Sequence, residues 1–287
     1  MTAIKLTNVH LGYPNANEVL AGANFQLAEG EIVGVLGASG AGKSTLLRLI
    51  AGLQHPQSGT VEIAGELTDD GDAGHHVPPH RRDCTMVFQD AQLFPHRTVA
   101  GNVAYGLEAA RVPAAERRRR VAEVLEMVDI PELADRAITE LSGGQVQRVA
   151  LARCLVIRPA VILFDEPLSA LDRGLRQRLA VDIRELLQRT GTSAVYVTHD
   201  PSEAMTVADR IAVVEGGAVQ DLGPVSQLDI GVLPDSVAAL FGGLGEVSGI
   251  VTAATDESTT IEIFDRIVVL PGRQGVIGDT VTINLSR

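Results

Sequence analysis

Short apolar runs bounded by turn residues set the hydrophobic pattern of the first two thirds of the chain. Residues 32–36 and 160–164 are almost wholly apolar, which is typical of strands buried on both faces of a parallel sheet. Residues 4–9 alternate between apolar and polar side chains, as in a strand with one exposed face. Two further short strands are predicted at residues 25–27 and 193–198.

Segments with helical spacing lie between these runs. Residues 65–82 are rich in acidic residues, glycine and proline, and they are predicted to be loop-rich. Strands that alternate with helices predict an α/β fold, built on a parallel sheet with short antiparallel additions. The predicted helices lie within residues 44–53, 99–128 (with a break near Pro113), 145–154 and 173–190.

The end of the chain has a different pattern. Residues 241–245 are rich in glycine and form a predicted hinge. Beyond the hinge, a small β-rich module is predicted at residues 246–287, which is short for an independent barrel. Its expected strands lie at residues 247–251, 260–264, 267–270 and 280–285.

Composition narrows the class of protein. With 287 residues, 45% of them hydrophobic, the chain can form one large α/β domain and a small appendage. A net charge of −12 argues against a nucleic-acid binder with an overall basic surface. Cys84 and Cys154 lack a CxxC spacing, so we expect two buried free thiols.

Hydropathy gives an expectation about location. The first residues lack the basic and apolar regions of a signal peptide. No uncharged apolar run approaches the roughly 18 residues that span a bilayer. We therefore expect a cytoplasmic chain whose role at a membrane depends on a partner.

A glycine-rich loop joins the first buried run to a helical segment, which is the context of a phosphate-binding loop. Its glycines let backbone amides turn toward phosphates, Lys43 would reach the β- and γ-phosphates, and the Ser44 hydroxyl would bind Mg²⁺. Lys43 is one of only two lysines in the chain. The expected ATP-binding residues of this loop are Gly37, Ala38, Ser39, Gly40, Ala41, Gly42, Lys43, Ser44 and Thr45.

Two adjacent carboxylates end the second buried run. Asp165 would lie near bound Mg²⁺, and Glu166 would face the attacking water as general base. The alternative is that both residues only place negative charge at the start of the next helix.

The run Leu141-Ser142-Gly143-Gly144-Gln145 is a second segment with the composition of a phosphate-directed loop. A serine and two glycines stand directly before a helical stretch, where backbone N–H groups at a helix N-terminus can meet an anion. A chain with one nucleotide-binding core does not need two such loops for itself. Oligomerisation would give the second loop a partner.

The chain resembles the ATPase subunit of an ATP-binding-cassette transporter over approximately residues 1–240. The Leu141–Gln145 run matches the family signature without substitution, and it follows the phosphate loop and precedes the Asp165-Glu166 pair in the family's order. Further matches are Gln89 of the glutamine loop, Asp172 of the D-loop, the switch His199, and Tyr13 at the position of an aromatic residue that stacks on adenine.

This resemblance implies an ATP- and Mg²⁺-dependent ATPase with a P-loop core, a mixed β-sheet and a helical subdomain inserted at about residues 90–158. Ser142, Gly143, Gly144 and Gln145 would contact ATP held by a second copy in a head-to-tail dimer. Hydrolysis would drive separate membrane permease subunits and, indirectly, a solute-binding protein, with the chain peripheral on the inner face of the cell membrane. Catalysis would depend on Gln89, Lys43, Glu166 and His199. Mg²⁺ would be held by Ser44, by Gln89 and, through a water molecule, by Asp165.

The cargo and two other classes of function stay open. The resemblance is to importers of ferric iron, polyamines and oxyanions; ferric iron is the cargo we expect, and the β-rich tail is interpreted as a truncated OB-like regulatory domain. A DNA-maintenance ATPase would place a long coiled coil between Lys43 and Leu141, which about 100 residues cannot hold. A ribosome-acting protein would carry two cassettes in one chain.

Two other clusters of residues are considered as binding sites. His75, His76, His80 and Cys84 could suggest a metal site, but their spacing fits no standard zinc pattern, so exposed loop residues are favoured. The basic run at residues 117–120 is expected to be a solvated helix face rather than a site for an acidic partner.

Overall fold

The computed structural model describes residues 1–13, 18–228, 234–241, 246–263, 266–273 and 275–284. Its helices are α1 (Lys43–Ile50), α2 (Val99–Ala109), α3 (Ala114–Met127), α4 (Gly143–Leu155), α5 (Arg173–Thr190), α6 (Pro201–Val207) and α7 (Asp235–Phe241). Its strands are β1 (Thr2–Gly12), β2 (Glu18–Ala28), β3 (Ile32–Leu36), β4 (Ser58–Ile63), β5 (Glu66–Asp70), β6 (His75–His76), β7 (Cys84–Val87), β8 (Val161–Asp165), β9 (Ser193–Val197), β10 (Arg210–Glu215), β11 (Ala218–Pro224), β12 (Glu246–Ala254), β13 (Ser258–Ile263), β14 (Arg266–Pro271) and β15 (Thr280–Asn284).

The central sheet has the strand order β11-β10-β3-β9-β8-β7. Strands β10, β3, β9, β8 and β7 are parallel, and β11 is an antiparallel edge strand. Every residue of β3, β8 and β9 is buried, as the apolar runs predict. The expected α/β fold with a mixed sheet is confirmed.

Alternate residues of the central strands enter two different cores. Val33 and Val195 pack with α1 and a second sheet, whereas Ile32 and Tyr196 pack with the helices on the opposite face. The second sheet is antiparallel, with the order β2-β1-β4-β5-β6. The central sheet is thus buried between two layers, which fixes the positions of its strand ends.

The prediction of a loop-rich segment at residues 65–82 is partly wrong, because β5 and β6 lie within it. Their sequences are polar, yet Thr68 and Asp69 of β5 are buried. The Thr68 hydroxyl donates to the Val61 carbonyl of β4, and Asp69 forms an ion pair with buried Arg82. Tertiary contacts, rather than a hydrophobic pattern, hold these strands.

Helices α2, α3 and α4 lie between β7 and β8 in the sequence and share the core on one face of the central sheet. The predicted break at Pro113 is confirmed, since α3 begins at Ala114 directly after it.

The two cysteines differ in burial. Cys154 of α4 is buried as expected, but Cys84 of β7 is only partly buried.

The C-terminal strands form an antiparallel sheet in the order β14-β13-β12-β15. They agree with the predicted strand positions, although Phe264, Leu285 and hinge residues 242–245 lie outside the described residues. Among the described residues, no helix has the length and apolar character required to cross a bilayer.

Candidate nucleotide site and signature loop

The expected catalytic residues all follow the carboxyl ends of adjacent parallel strands. The glycine-rich loop follows β3, His199 lies two residues after β9, and Glu166 comes directly after β8. Gln89 lies two residues after β7. Because these four strands are neighbours in the sheet, their ends meet at one edge, where open α/β sheets bind ligands.

The loop after β3 is shaped to surround an anion. Gly42 has a φ of 106°, and a Cβ there would lie 2.9 Å from the Val19 side chain. Lys43 is buried, and its ammonium group donates to the carbonyls of Gly37 at 2.7 Å and Ala38 at 3.0 Å. Burial lowers the pKa of Lys43, and the carboxylates of Glu166 and Asp165 partly offset that effect. The loop therefore holds a desolvated cation against its own backbone.

The side chains of Ser44 and Asp165 meet at the sheet edge. The Ser44 hydroxyl donates to Oδ1 of Asp165 at 2.8 Å, although the two residues lie on α1 and β8. Asp165 is buried, and register places it opposite Val197 of β9. The Ser44 hydroxyl and the Asp165 carboxylate are hard oxygen donors of the kind that Mg²⁺ prefers, so this pair fits the metal. Gln89 follows a strand of the same sheet edge, and its part in holding Mg²⁺ stays a prediction.

Glu166 has an uncommon backbone conformation. Its φ is 46°, in the left-handed region that non-glycine residues seldom occupy, and its N–H donates to the Val197 carbonyl at 3.0 Å. Its Oε2 lies 2.9 Å from Nδ1 of His199. An ionised carboxylate only accepts, so Nδ1 of His199 donates in this pair. This geometry orients a candidate base and a histidine together at the sheet edge.

Two arginines that the sequence reasoning did not single out support this edge. Arg153 of α4 donates to the carbonyls of Ala91 and Gln92, each at 2.7 Å, directly after the Gln89 segment. Ala91 and Gln92 both have positive φ, so this segment is held in a strained shape. The detectable signal was an arginine within an otherwise apolar helical stretch.

Arg176 of α5 joins two other loops. It donates to the Leu171 carbonyl, next to Asp172, at 2.9 Å and to Oδ2 of Asp200, next to His199, at 3.2 Å. No sequence motif indicates this link, because the partners come from separate segments.

Tyr13 lies beside the end of the phosphate loop. Its side chain is half-buried, and its hydroxyl is 3.3 Å from Oγ1 of Thr45. The structure therefore brings Tyr13 close to the loop, and its adenine-stacking role stays a prediction.

The signature run begins α4. Ser142 is the N-cap: its hydroxyl accepts from the Gln145 N–H at 3.4 Å, and the Gln145 side chain accepts from the Ser142 N–H at 2.9 Å. Gly143 lies against the D-loop region, where an added Cβ would be 2.9 Å from Leu171 Cδ2. Ser142 and Gly143 are exposed, so the run is ordered by its own chain and open to a partner.

Asp172 has a structural task of its own. It caps α5 by accepting from the Leu175 N–H at 3.0 Å.

Between the signature and α5 lies a surface depression of about 480 Å³, lined by residues that include Ser142, Gln145 and Arg148. No described residue of the phosphate loop contributes to its wall.

Sequence comparison agrees with this arrangement. The chain matches the ABC transporter family over residues 20–169. It is 45% identical over 239 residues to a spermidine/putrescine import ATP-binding protein from Thermobifida fusca, covering 83% of this chain and 61% of that protein. It is 45% identical over 228 residues to an sn-glycerol-3-phosphate import ATP-binding protein from Brucella abortus, covering 79% and 63%. This chain thus spans about three fifths of the length of these two relatives.

A third relative and two solved structures extend the comparison. An Fe(3+) ions import ATP-binding protein from Streptomyces avermitilis is 43% identical over 260 residues, covering 90% of this chain and 72% of that protein. CbiO1 from Clostridium perfringens, part of the ABC transporter complex CbiONQ, aligns with a TM-score of 0.71 and 30% identity over 79% of this chain and 90% of its own. A dimeric ATP-binding cassette, solved in a post-hydrolysis state with ADP and Pi, aligns with a TM-score of 0.65 and 32% identity over 77% and 98%. The chain therefore belongs to the ABC transporter family.

Proposed function

We propose that this protein is the ATP-hydrolysing subunit of an ABC import system. The observation that carries the proposal is the convergence of Lys43, Ser44, Asp165, Glu166 and His199 at one edge of the central sheet. These residues supply a phosphate-binding cation, two hard oxygen ligands and a carboxylate paired with a histidine.

Each residue has a defined task in this proposal. The loop amides and Lys43 bind the phosphates of ATP, and Ser44, Gln89 and Asp165 would hold Mg²⁺. Bound Mg²⁺ would offset negative charge on the phosphate oxygens. Glu166 accepts a proton from the attacking water, and the Nδ1 hydrogen bond from His199 keeps the carboxylate in place.

The exposure of Ser142 and Gly143 supports action between two copies, although Gly144 is buried in the single chain. In a head-to-tail dimer, Ser142 and the amides of Gly143 and Gly144 would contact the phosphates of ATP held by the other copy's loop. Gln145 keeps Ser142 positioned through the capping box, and Asp172 caps α5, whose Leu175 lies next to Gly144. Loss of the γ-phosphate would remove the contact that joins the two copies.

The remaining parts of the proposal concern organisation, partners and location. The ATPase domain would comprise residues 1–240 with its helical subdomain at about residues 90–158, and residues 246–287 would be a small regulatory module. The chain would be cytoplasmic and would attach to the membrane through permease subunits, with a solute-binding protein delivering cargo. Ferric iron is our proposed cargo, and the relatives named for spermidine/putrescine and glycerol 3-phosphate define the competing ones.

Two measurements test this function. The purified chain should release phosphate from ATP only when Mg²⁺ is present. From detergent-solubilised cells it should co-purify with integral membrane subunits; co-purification with ribosomes or DNA would contradict the transport role. Uptake of radiolabelled ferric iron by the reconstituted complex, compared with labelled spermidine and glycerol 3-phosphate, would decide the cargo.

A further inference from the structure

We propose that His55, Asp69 and His76 form a binding site for one divalent transition-metal ion of the Zn²⁺ class. The three residues come from separate segments: the loop after α1, strand β5 and strand β6. One ring nitrogen of each histidine and one carboxylate oxygen of Asp69 all lie within 4.8 Å of one another. The histidine rings meet edge-on, with centroids 3.9 Å apart.

The donor set suits such an ion. Two imidazole nitrogens and one carboxylate oxygen form a set of three protein ligands that zinc accepts, with water completing the coordination. Asp69 is fully buried, so its carboxylate is held in one position, whereas His55 is exposed and gives solvent access. The site thus combines a fixed anionic ligand with an open side.

Arg82 occupies the far side of the Asp69 carboxylate. Its Nη2 lies 2.7 Å from Oδ2, while Oδ1 faces Nδ1 of His76 at 2.7 Å. Arg82 is itself held by the carbonyls of Val77, Leu49 and Ile50. Oδ2 is thus ion-paired with Arg82, and Oδ1, which contacts His76, is the oxygen that would bind the ion. Carboxylates that bind metals are usually oriented by such an outer partner. The positive charge of Arg82 should nevertheless make binding weaker than at a closed structural zinc site.

Nδ1 of His76 has two neighbours. Nη2 of Arg82 lies 3.2 Å from it, and Oδ1 of Asp69 lies 2.7 Å from it. An imidazole nitrogen has one lone pair, so in the metal-bound state Nδ1 would give that pair to the ion instead of accepting from Arg82, and Oδ1 would face the same ion. The competing arrangement has hydrogen on Nδ1, donated to Asp69, and no metal.

A metal ion bound at this site would link two layers of the molecule. His55 follows α1, whose first turn contains Lys43 and Ser44, and Arg82 binds carbonyls at the opposite end of the same helix. A metal ion would link this loop to β5 and β6 and should raise the thermal stability of the whole chain. The site is separate from the phosphate loop, so the proposal stands without the proposed ATPase function.

The test uses the untagged full chain, stripped with EDTA and kept in millimolar Mg²⁺ to mask the nucleotide site. Titration with Zn²⁺ in a calorimeter should show one ion per chain, and Co²⁺ should develop visible absorption bands. Zn²⁺ should raise Tm by several degrees, and EDTA should reverse the rise.

Two single-ligand variants complete the design. His55→Ala, at an exposed position that leaves the Asp69–Arg82 pair intact, and His76→Ala should each weaken Zn²⁺ binding by at least roughly tenfold. His80→Ala, an exposed histidine of the same region, is the matched control and should bind like the wild type. Absence of Zn²⁺ binding to the wild type, or unchanged binding by His55→Ala, would overturn the proposal and leave a hydrogen-bonded cluster only.

Discussion

The phosphate-loop edge and the signature loop are both proposed to bind phosphate, but they differ in how many contacts their own chain gives them. At the phosphate-loop edge, Lys43, Ser44 and Glu166 each bond to a residue distant in sequence or to the loop itself. In the signature, the hydrogen bonds of Ser142 stay within the first turn of its own helix, to Gln145 and Val146, and Gly143 is exposed.

This difference separates a site that is preorganised within one chain from one that is presented to another. Groups aimed at a common point from three strands can act on a reaction within that chain. A capped helix N-terminus on the surface offers amide donors but no catalytic partner of its own. In the proposed head-to-tail dimer, the two regions would make one site when a second copy brings them together.

Replacing Glu166 by Gln tests the phosphate-loop edge and should have the largest effect on hydrolysis. The amide keeps the shape but cannot accept a proton, so hydrolysis should fall by about 10²–10⁴-fold. ATP binding should persist, and size-exclusion chromatography with ATP should show an accumulated dimer. Turnover equal to the wild type would remove Glu166 as the base.

Ser142→Arg tests the signature loop. A bulky side chain at this exposed N-cap should block closure between copies and reduce hydrolysis by roughly 10²-fold. Binding of a fluorescent ATP analogue to the monomer should stay within about twofold, because the phosphate loop is intact. Ser142→Thr, which keeps the hydroxyl and the cap, is the control. Collapse of monomeric ATP affinity would mean that the signature serves its own chain's site.

The same contrast explains which parts of the fold and of the candidate site can be predicted from the sequence. The phosphate loop and Glu166 are predictable because each follows an almost wholly apolar run, in β3 or β8, whose position in a parallel sheet is easy to recognise. Strands β5 and β6 escape prediction because both are polar: Thr68 and Asp69 of β5 are buried by partners such as Arg82, which no local pattern indicates, and the two residues of β6 are not buried. The cluster of His55, Asp69 and His76 forms only when three segments meet, so a search for zinc spacing along the chain misses it.

Arg153→Met tests the physical link between the two regions. The variant keeps the apolar stem but leaves the Ala91 and Gln92 carbonyls without their donor, so the strained segment after Gln89 should relax. We expect a loss of about 2 kcal/mol in the free energy of unfolding and a roughly tenfold slower hydrolysis. Urea unfolding and phosphate release measure the two effects.

Arg136→Met, at an exposed position, is the matched control for Arg153 and should change neither quantity measurably. Wild-type hydrolysis in the Arg153→Met variant would show that α4 does not support the glutamine loop.

Tyr13→Leu should have the smallest effect. Loss of the aromatic face should raise the KM for ATP by about three- to tenfold and leave kcat nearly unchanged. Tyr13→Phe keeps the ring and loses only the contact with Thr45, so its KM should match the wild type. An equal rise in both variants would assign the effect to the hydroxyl instead of stacking.

Cross-linking between unlike copies tests the shared site most directly. One chain would carry Ser39→Cys in the exposed part of the phosphate loop, the other Ser142→Cys, and both would carry Glu166→Gln to retain ATP. Burial raises the pKa of Cys84 to about 12 and that of Cys154 to about 11, so the native thiols should stay protonated and react slowly with a maleimide. Chains with Glu166→Gln alone control for that background.

The decisive measurement is the dimer band that a short bis-maleimide produces when the two chains are mixed with ATP. We predict an ATP-dependent cross-link that joins one Ser39→Cys chain to one Ser142→Cys chain and disappears without nucleotide. We propose that each phosphate loop is completed by another copy's signature. That proposal would be contradicted if the unlike chains did not cross-link and a single chain with both cysteines cross-linked only within itself.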